Sequence, residues 1–133
     1  MNHILIVDDN EIIRRKVRDL FRQDTNTICS EARNGFEAIE RTRDFRPHFV
    51  VLDYSMPMMD GLQTAPQLKK LDPHLRIVML TAFKDQTLET KAYSAGVTWV
   101  LSKTEDNISK VRDFVRILLR PDGPQASVAT PMT

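Results

Sequence analysis

Four short apolar runs, each closed at its carboxyl end by polar side chains, constrain this chain more than anything else in it. Ile4-Leu5-Ile6-Val7 runs into Asp8 and Asp9, Val50-Val51-Leu52 into Asp53, Ile77-Val78-Met79-Leu80 into Thr81, and Val100-Leu101-Ser102 into Lys103. Runs this short and this uniformly apolar read as strands buried on both faces of a sheet. If they are parallel in one sheet, all the terminating residues project from one edge. Open parallel sheets bind their ligands beyond the carboxyl ends of the strands. That edge then holds three carboxylates, a hydroxyl and an ammonium, the donor set of a divalent-cation and phosphoryl site.

The segments between the runs read as helices. Asn10 can cap the first, with Ile13, Val17, Leu20 and Phe21 on its inner face and Arg14, Arg15, Arg18 and Arg22 outside. Thr27–Ala32 is a weaker fifth strand, and Asn34-Gly35 is a turn before a short helix from Phe36 to Arg43. Further helices are expected from about Leu62 to Leu71, stopped by Asp72-Pro73, and from Asp85 to Ala95, ended by Gly96. A last helix is expected from about Asn107 to Leu119, with Ile108, Val111, Phe114, Val115 and Leu118 on one face. Five strands alternating with five helices imply an α/β fold with a parallel sheet covered on both faces. The pattern does not fix the strand order.

The chain has 133 residues, room for one domain with a real core. Residues 1–120 are expected to form that domain. Residues 121–133, which open on Pro121-Asp122-Gly123-Pro124 and continue small and polar, are expected to be a disordered tail or linker stub. A net charge of +1 gives no global field favouring nucleic acid or an acidic membrane, and the basic residues of the last helix alternate with acids. No apolar stretch approaches the roughly 20 residues that cross a bilayer. The apolar run after Met1 is too short for a signal peptide, and a single cysteine, Cys29, suits a reducing compartment. A cytoplasmic location is the expectation.

Each terminating residue has an ordinary reading when taken alone. Asp8-Asp9 can be a strand-end turn, Thr81 a turn hydroxyl and Lys103 a solvated charge. Together they make a chemical set. Adjacent carboxylates joined by a third suit Mg²⁺, which takes one or two carboxylates and keeps several waters. Asp53 is a candidate nucleophile, since carboxylates form aspartyl-phosphates. Thr81 can donate to a phosphoryl oxygen, and Lys103 can neutralise one as a compact cation. The sequence has no GxxxxGK(S/T) loop, GxGxxG fingerprint or GxSxG elbow. His3, His48 and His74 lack metal-ligand spacing, and Met56, Met58 and Met59 read as gap-filling packing.

Asp8-Asp9, the block Asp53-Tyr54-Ser55-Met56-Pro57-Met58-Met59-Asp60-Gly61, Thr81-Ala82 and Lys103 resemble the receiver domain of two-component response regulators. The resemblance covers about residues 3 to 119. It implies a five-stranded parallel sheet in the order 2-1-3-4-5. It implies phosphoryl acceptance by Asp53 from a sensor histidine kinase or a histidine phosphotransfer protein. Mg²⁺ would be held by Asp9, Asp53 and the backbone carbonyl of Ser55, with Asp8 helping directly or through water. Thr81 and Lys103 would hold the phosphoryl oxygens. Pro57 and Gly61 would shape the adjoining loop, and Ser55 and Phe83 would influence the phosphoryl lifetime. The output would be a changed surface on the fourth helix, fifth strand and fifth helix, with homodimerisation one form of it.

Two positions depart from the family pattern. Val100 stands where an aromatic switch residue is usual, and Thr104 where proline often follows the lysine. Strand alternation puts Trp99 on the opposite face from Val100, packed on the last helix. The rival readings are a phosphorylation-independent interaction module and a Mg²⁺-dependent phosphohydrolase. The latter commonly carries a second acid where Ser55 stands. The chain can also be the receiver of a DNA-binding regulator, although no helix-turn-helix is visible in it.

Overall fold

A computed structural model describes residues 1–119, so Arg120 and the expected tail at 121–133 lie outside the described residues. Strands β1 (Asn2–Val7) and β3 (Phe49–Asp53) pair in parallel at the centre of the sheet. Outside β1 lies β2 (Thr27–Ala32), and beyond β3 lie β4 (Arg76–Thr81) and β5 (Trp99–Ser102). The order is 2-1-3-4-5 with every pairing parallel, as the resemblance implied. The chain steps outward from β1 to β2 and then returns to the other side of β1. The switch point therefore opens between β1, which runs into Asp8, and β3, which ends in Asp53.

Side-chain alternation along the strands builds two core layers. Leu5, Val7, Val50, Leu52, Met79 and Val100 face one way, against Ala38 of α2 (Gly35–Phe45), Ala65 and Leu68 of α3 (Gly61–Leu71) and Ala92 of α4 (Gln86–Ser94). Ile4, Ile6, Val51, Val78 and Leu80 face the other way. They meet Val17 of α1 (Glu11–Asp19), Ile108 of α5 (Glu105–Ser109), and Val111, Val115 and Leu118 of α6 (Val111–Leu118). Trp99 lies on this second face, edge-on to Phe114 with ring centroids 5.1 Å apart.

Side-chain caps fix the helix starts. The Asn10 carboxamide oxygen accepts from the Ile12 and Ile13 amides, and Asn34 and Asp85 cap α2 and α4 in the same way. Asp60 and Gln63 form a capping box at the start of α3. That helix runs through Pro66, whose missing N–H leaves the Leu62 carbonyl without its usual partner. Gly96, at φ +97°, turns the chain out of α4.

The single last helix expected from Asn107 is two helices, making six rather than five among the described residues. The first begins earlier, at Glu105, because Thr104 caps it through the Asn107 amide. The break falls at Lys110, whose amide reaches back to the Asn107 carbonyl in a tight turn. Ile108, Val111, Val115 and Leu118 keep one apolar face across the break, so hydrophobic spacing carries no trace of it. Helix α1 also stops sooner than its apolar pattern, at Asp19, yet Phe21 still packs into the core from the turn that follows.

At Gly61 the start of α3 presses on the end of β3. A Cβ there would lie 2.8 Å from the Asp53 carbonyl oxygen and 3.0 Å from the Tyr54 Cα. Both are backbone atoms that cannot swing aside. Gly61→Ala is therefore expected to cost roughly 1–3 kcal/mol, read by urea denaturation with an unchanged m-value. A loss under a few tenths of a kcal/mol would show that the helix can lift off without penalty.

Candidate functional site

At the end of β1 the backbone ladder runs one residue further, with the Asp8 amide donating to the Ala32 carbonyl at 3.1 Å. This draws the Asp8 carboxylate into the interior, where only 2% of the residue is exposed. One carboxylate oxygen, Oδ1, accepts from the Asn10 amide at 2.9 Å, and Oδ2 lies 2.8 Å from the Lys103 Nζ. The Asp8 carbonyl accepts from the Arg14 guanidinium at 2.7 Å. Asp9 is exposed, and among the described residues no protein hydrogen bond engages it.

Asp53 is the last residue of β3 and is buried. Its Oδ1 lies 3.2 Å from the Lys103 Nζ. The ammonium of Lys103 thus bridges the two buried carboxylates. Its own backbone is tied down by a 2.7 Å hydrogen bond from its amide to the Thr81 carbonyl. The Thr81 hydroxyl is buried and accepts from the Phe83 amide at 3.1 Å, which leaves its hydrogen available to donate. Ser55 lies in the loop after β3 and is exposed.

The sheet edge therefore brings together Asp8, Asp9, Asp53, Thr81 and Lys103, as the strand-end pattern predicts. Carboxylate oxygens of Asp8, Asp9 and Asp53 all lie within 4.8 Å of one another. Such a set of hard oxygen donors fits a divalent cation. Because both Asp8 oxygens already have partners, Asp9 and the second oxygen of Asp53 are the more available ligands. The electrostatics reflect the crowding. Burial, and then the charge of Asp8, push the Asp53 carboxyl up to about 6, against the pull of Lys103. Burial alone would lower Lys103, but its contacts with Asp8 and then Asp53 carry it above its usual value.

The model of the response regulator receiver domain family matches residues 4–116. The chain belongs to this family. Among relatives of this receiver domain is the chemotaxis protein CheY of Bacillus subtilis. It is 34% identical over 95 residues, covering 71% of this chain and 79% of CheY. A putative transcriptional regulator of Pseudomonas aeruginosa is 37% identical over 111 residues, covering 84% of this chain. The receiver spans about half of that regulator, 53% of its length. Among solved structures, CheY4 of Vibrio cholerae superposes with a TM-score of 0.79 at 25% identity, covering 89% of this chain and 99% of that one. A CheX–CheY–BeF3–Mg complex from Borrelia burgdorferi matches with a TM-score of 0.78 at 23% identity, over 90% of each chain, and supports the fold.

Several residues near the site differ from their sequence reading. Arg14, expected on the outer face of α1, is buried and pairs with Glu31 at 3.0 Å while holding the Asp8 carbonyl. Glu31 also takes Arg18 at 2.8 Å. A glutamate inside a strand was the available signal, since strands disfavour it unless it is paired. Met56 packs in the core as expected, but Met58 is 77% exposed, at φ +70°. His3 and His48 meet at the opposite end of the sheet, where the His3 amide donates to the His48 Nδ1 at 3.0 Å. Among the described residues no helix is long and apolar enough to cross a membrane.

The raised carboxyl predicts a pH signature in the metal-free protein. A folded value of about 6 against 3.8 means that the native state binds the extra proton first. The Asp53 contribution to stability should therefore rise as pH falls through that window. Asp53→Asn should be the more stable protein at pH 8 in chelator, by on the order of 1 kcal/mol. The difference should shrink toward pH 4, as read by denaturant titration at a series of pH values. A difference constant across the window would mean that Asp53 carries no such strain.

Proposed function

We propose that this receiver accepts a phosphoryl group on Asp53 from a phosphohistidine, in a Mg²⁺-dependent step, and thereby changes its binding surface. The donor is a sensor histidine kinase or a histidine phosphotransfer protein. The observation that carries this reading is the Lys103 ammonium held between Asp8 and Asp53, with the carboxylate of Asp9 alongside. A lysine serving only as a surface charge would not be sequestered against two buried acids.

In the proposed step an oxygen of Asp53 bonds to phosphorus as the phosphorus–nitrogen bond of the donor breaks. The imidazole leaves with the bonding electron pair and takes up a proton. Asp9, Asp53 and the Ser55 carbonyl would hold Mg²⁺, with Asp8 acting through water, and the bound ion would supply positive charge to the phosphoryl oxygens. Lys103 keeps its contact with Asp8 and turns its remaining hydrogens to a phosphoryl oxygen, while the Thr81 hydroxyl donates to another. Catalysis of this kind is positioning and charge neutralisation.

Exposed apolar side chains on the same sheet edge supply a docking surface for the donor. Ile12 is 62% exposed, Met58 77% and Phe83 84%. They stand in the segments that follow β1, β3 and β4. The output surface would be α4, β5 and the α5–α6 pair that stands for the expected fifth helix, where Ile117 is exposed and Trp99 half-buried. Homodimerisation through that surface is one form the output would take.

Incubation with acetyl phosphate and Mg²⁺ should add one phosphoryl group by intact mass, absent in Asp53→Asn and after chelation. A wild type that binds Mg²⁺ yet stays unmodified would favour the phosphorylation-independent module. Ile12→Asp should slow transfer from a phosphorylated protein donor about tenfold or more. It should leave the rate with acetyl phosphate within about twofold. Equal losses with both donors would place this side chain in the chemistry instead of the docking.

A further inference from the structure

The site as described needs Lys103 held in place between the end of β5 and Thr104, the cap of α5. The structure assigns that task to Asn107: we infer that it is a positioning residue for Lys103 in phosphoryl transfer. This rests on the function proposed above and goes beyond it.

Asn107 clasps the turn between β5 and α5 from both sides of Lys103. Its side-chain amide donates from Nδ2 to the Ser102 carbonyl at 2.8 Å. Its backbone amide donates to the Thr104 hydroxyl at 3.1 Å. The residues before and after Lys103 are thus gripped by one asparagine. A third bond inside the turn runs from the Thr104 amide to the Ser102 carbonyl at 2.9 Å. The Ser102 carbonyl therefore accepts two hydrogen bonds, which fixes the peptide plane leading into Lys103. On the sheet side the Lys103 amide is held by the Thr81 carbonyl at 2.7 Å. The Lys103 Cα is consequently fixed to both β4 and α5, and its long side chain needs only to extend to reach Asp8 and Asp53.

An asparagine in the first turn of a helix that merely capped it would accept a hydrogen bond from a later amide. Asn107 instead donates backward, out of its helix and into the strand end. The capping is done by Thr104. The carboxamide of Asn107 therefore serves the turn that carries the lysine.

The Asn107→Asp and Asn107→Ala variants remove the Nδ2 donor while keeping the backbone amide for Thr104. Phosphorylation of the full chain by acetyl phosphate at saturating Mg²⁺ should slow about tenfold in both. Mg²⁺ affinity by calorimetry should stay within about twofold, because Asp9 and Asp53 are untouched. Asn107→Ala should add nothing in a Lys103→Met background, since a positioning residue acts only through the group it positions. A tenfold loss that persists without the lysine would overturn the inference, as would wild-type rates in both variants. If Asn107→Ala unfolds, the comparison is made with Asn107→Asp, whose isosteric side chain preserves the packing. A wild type that takes no phosphoryl group would overturn the proposed function itself, and the inference with it. A normally phosphorylated wild type alongside equally fast variants would overturn the inference alone.

Discussion

Burying two carboxylates within reach of a third is costly, because like charges in a poorly solvated site repel and neither can be left unpaired. The sheet resolves this by bringing in an ammonium from β5 that touches both Asp8 and Asp53. Asp53 ends a strand two positions from β5, and Asp8 follows one three positions away, so the compensation is available only when β1, β3, β4 and β5 lie in register. The strand order and the site are in this sense one constraint. Charge balance at the edge requires the completed sheet, and the sheet ends must be held flush for the charges to meet.

The rest of the molecule supplies that flushness. Arg14 fixes the Asp8 carbonyl from α1, Gly61 lets α3 abut the end of β3, and the Thr81 carbonyl anchors Lys103 across β4 and β5. None of these groups belongs to the acidic cluster itself. They decide where the carboxylates and the ammonium stand, and an error of an ångström there would matter more than the loss of any single surface ion pair.

How much of this was legible from residue order depends on the kind of information each element carries. Strands buried on both faces announce themselves as uninterrupted apolar runs, so β1, β3 and β4 and the residues terminating them could be read directly. Strand order could not, because a parallel crossover looks the same whichever neighbour it joins; only the resemblance supplied it. The break at Lys110 was hidden because Ile108 and Val111 preserve the helical spacing across it. Arg14 was misread for the opposite reason. Its neighbours define an amphipathic helix on which arginine belongs outside, and its burial comes from Glu31 on β2, far away in sequence. The meeting of His3 with His48 was likewise set by strand register and invisible to spacing.

Trp99 and Val100 are adjacent on β5 yet belong to different core layers. The indole leans on Phe114 of α6, on the far side of the sheet from Val100 and Tyr93. As the only tryptophan in the chain, it is an intrinsic fluorophore placed in the α6 layer and not among the acidic residues at the sheet edge. Its emission would respond when a rearrangement travels along β5 into the last helix.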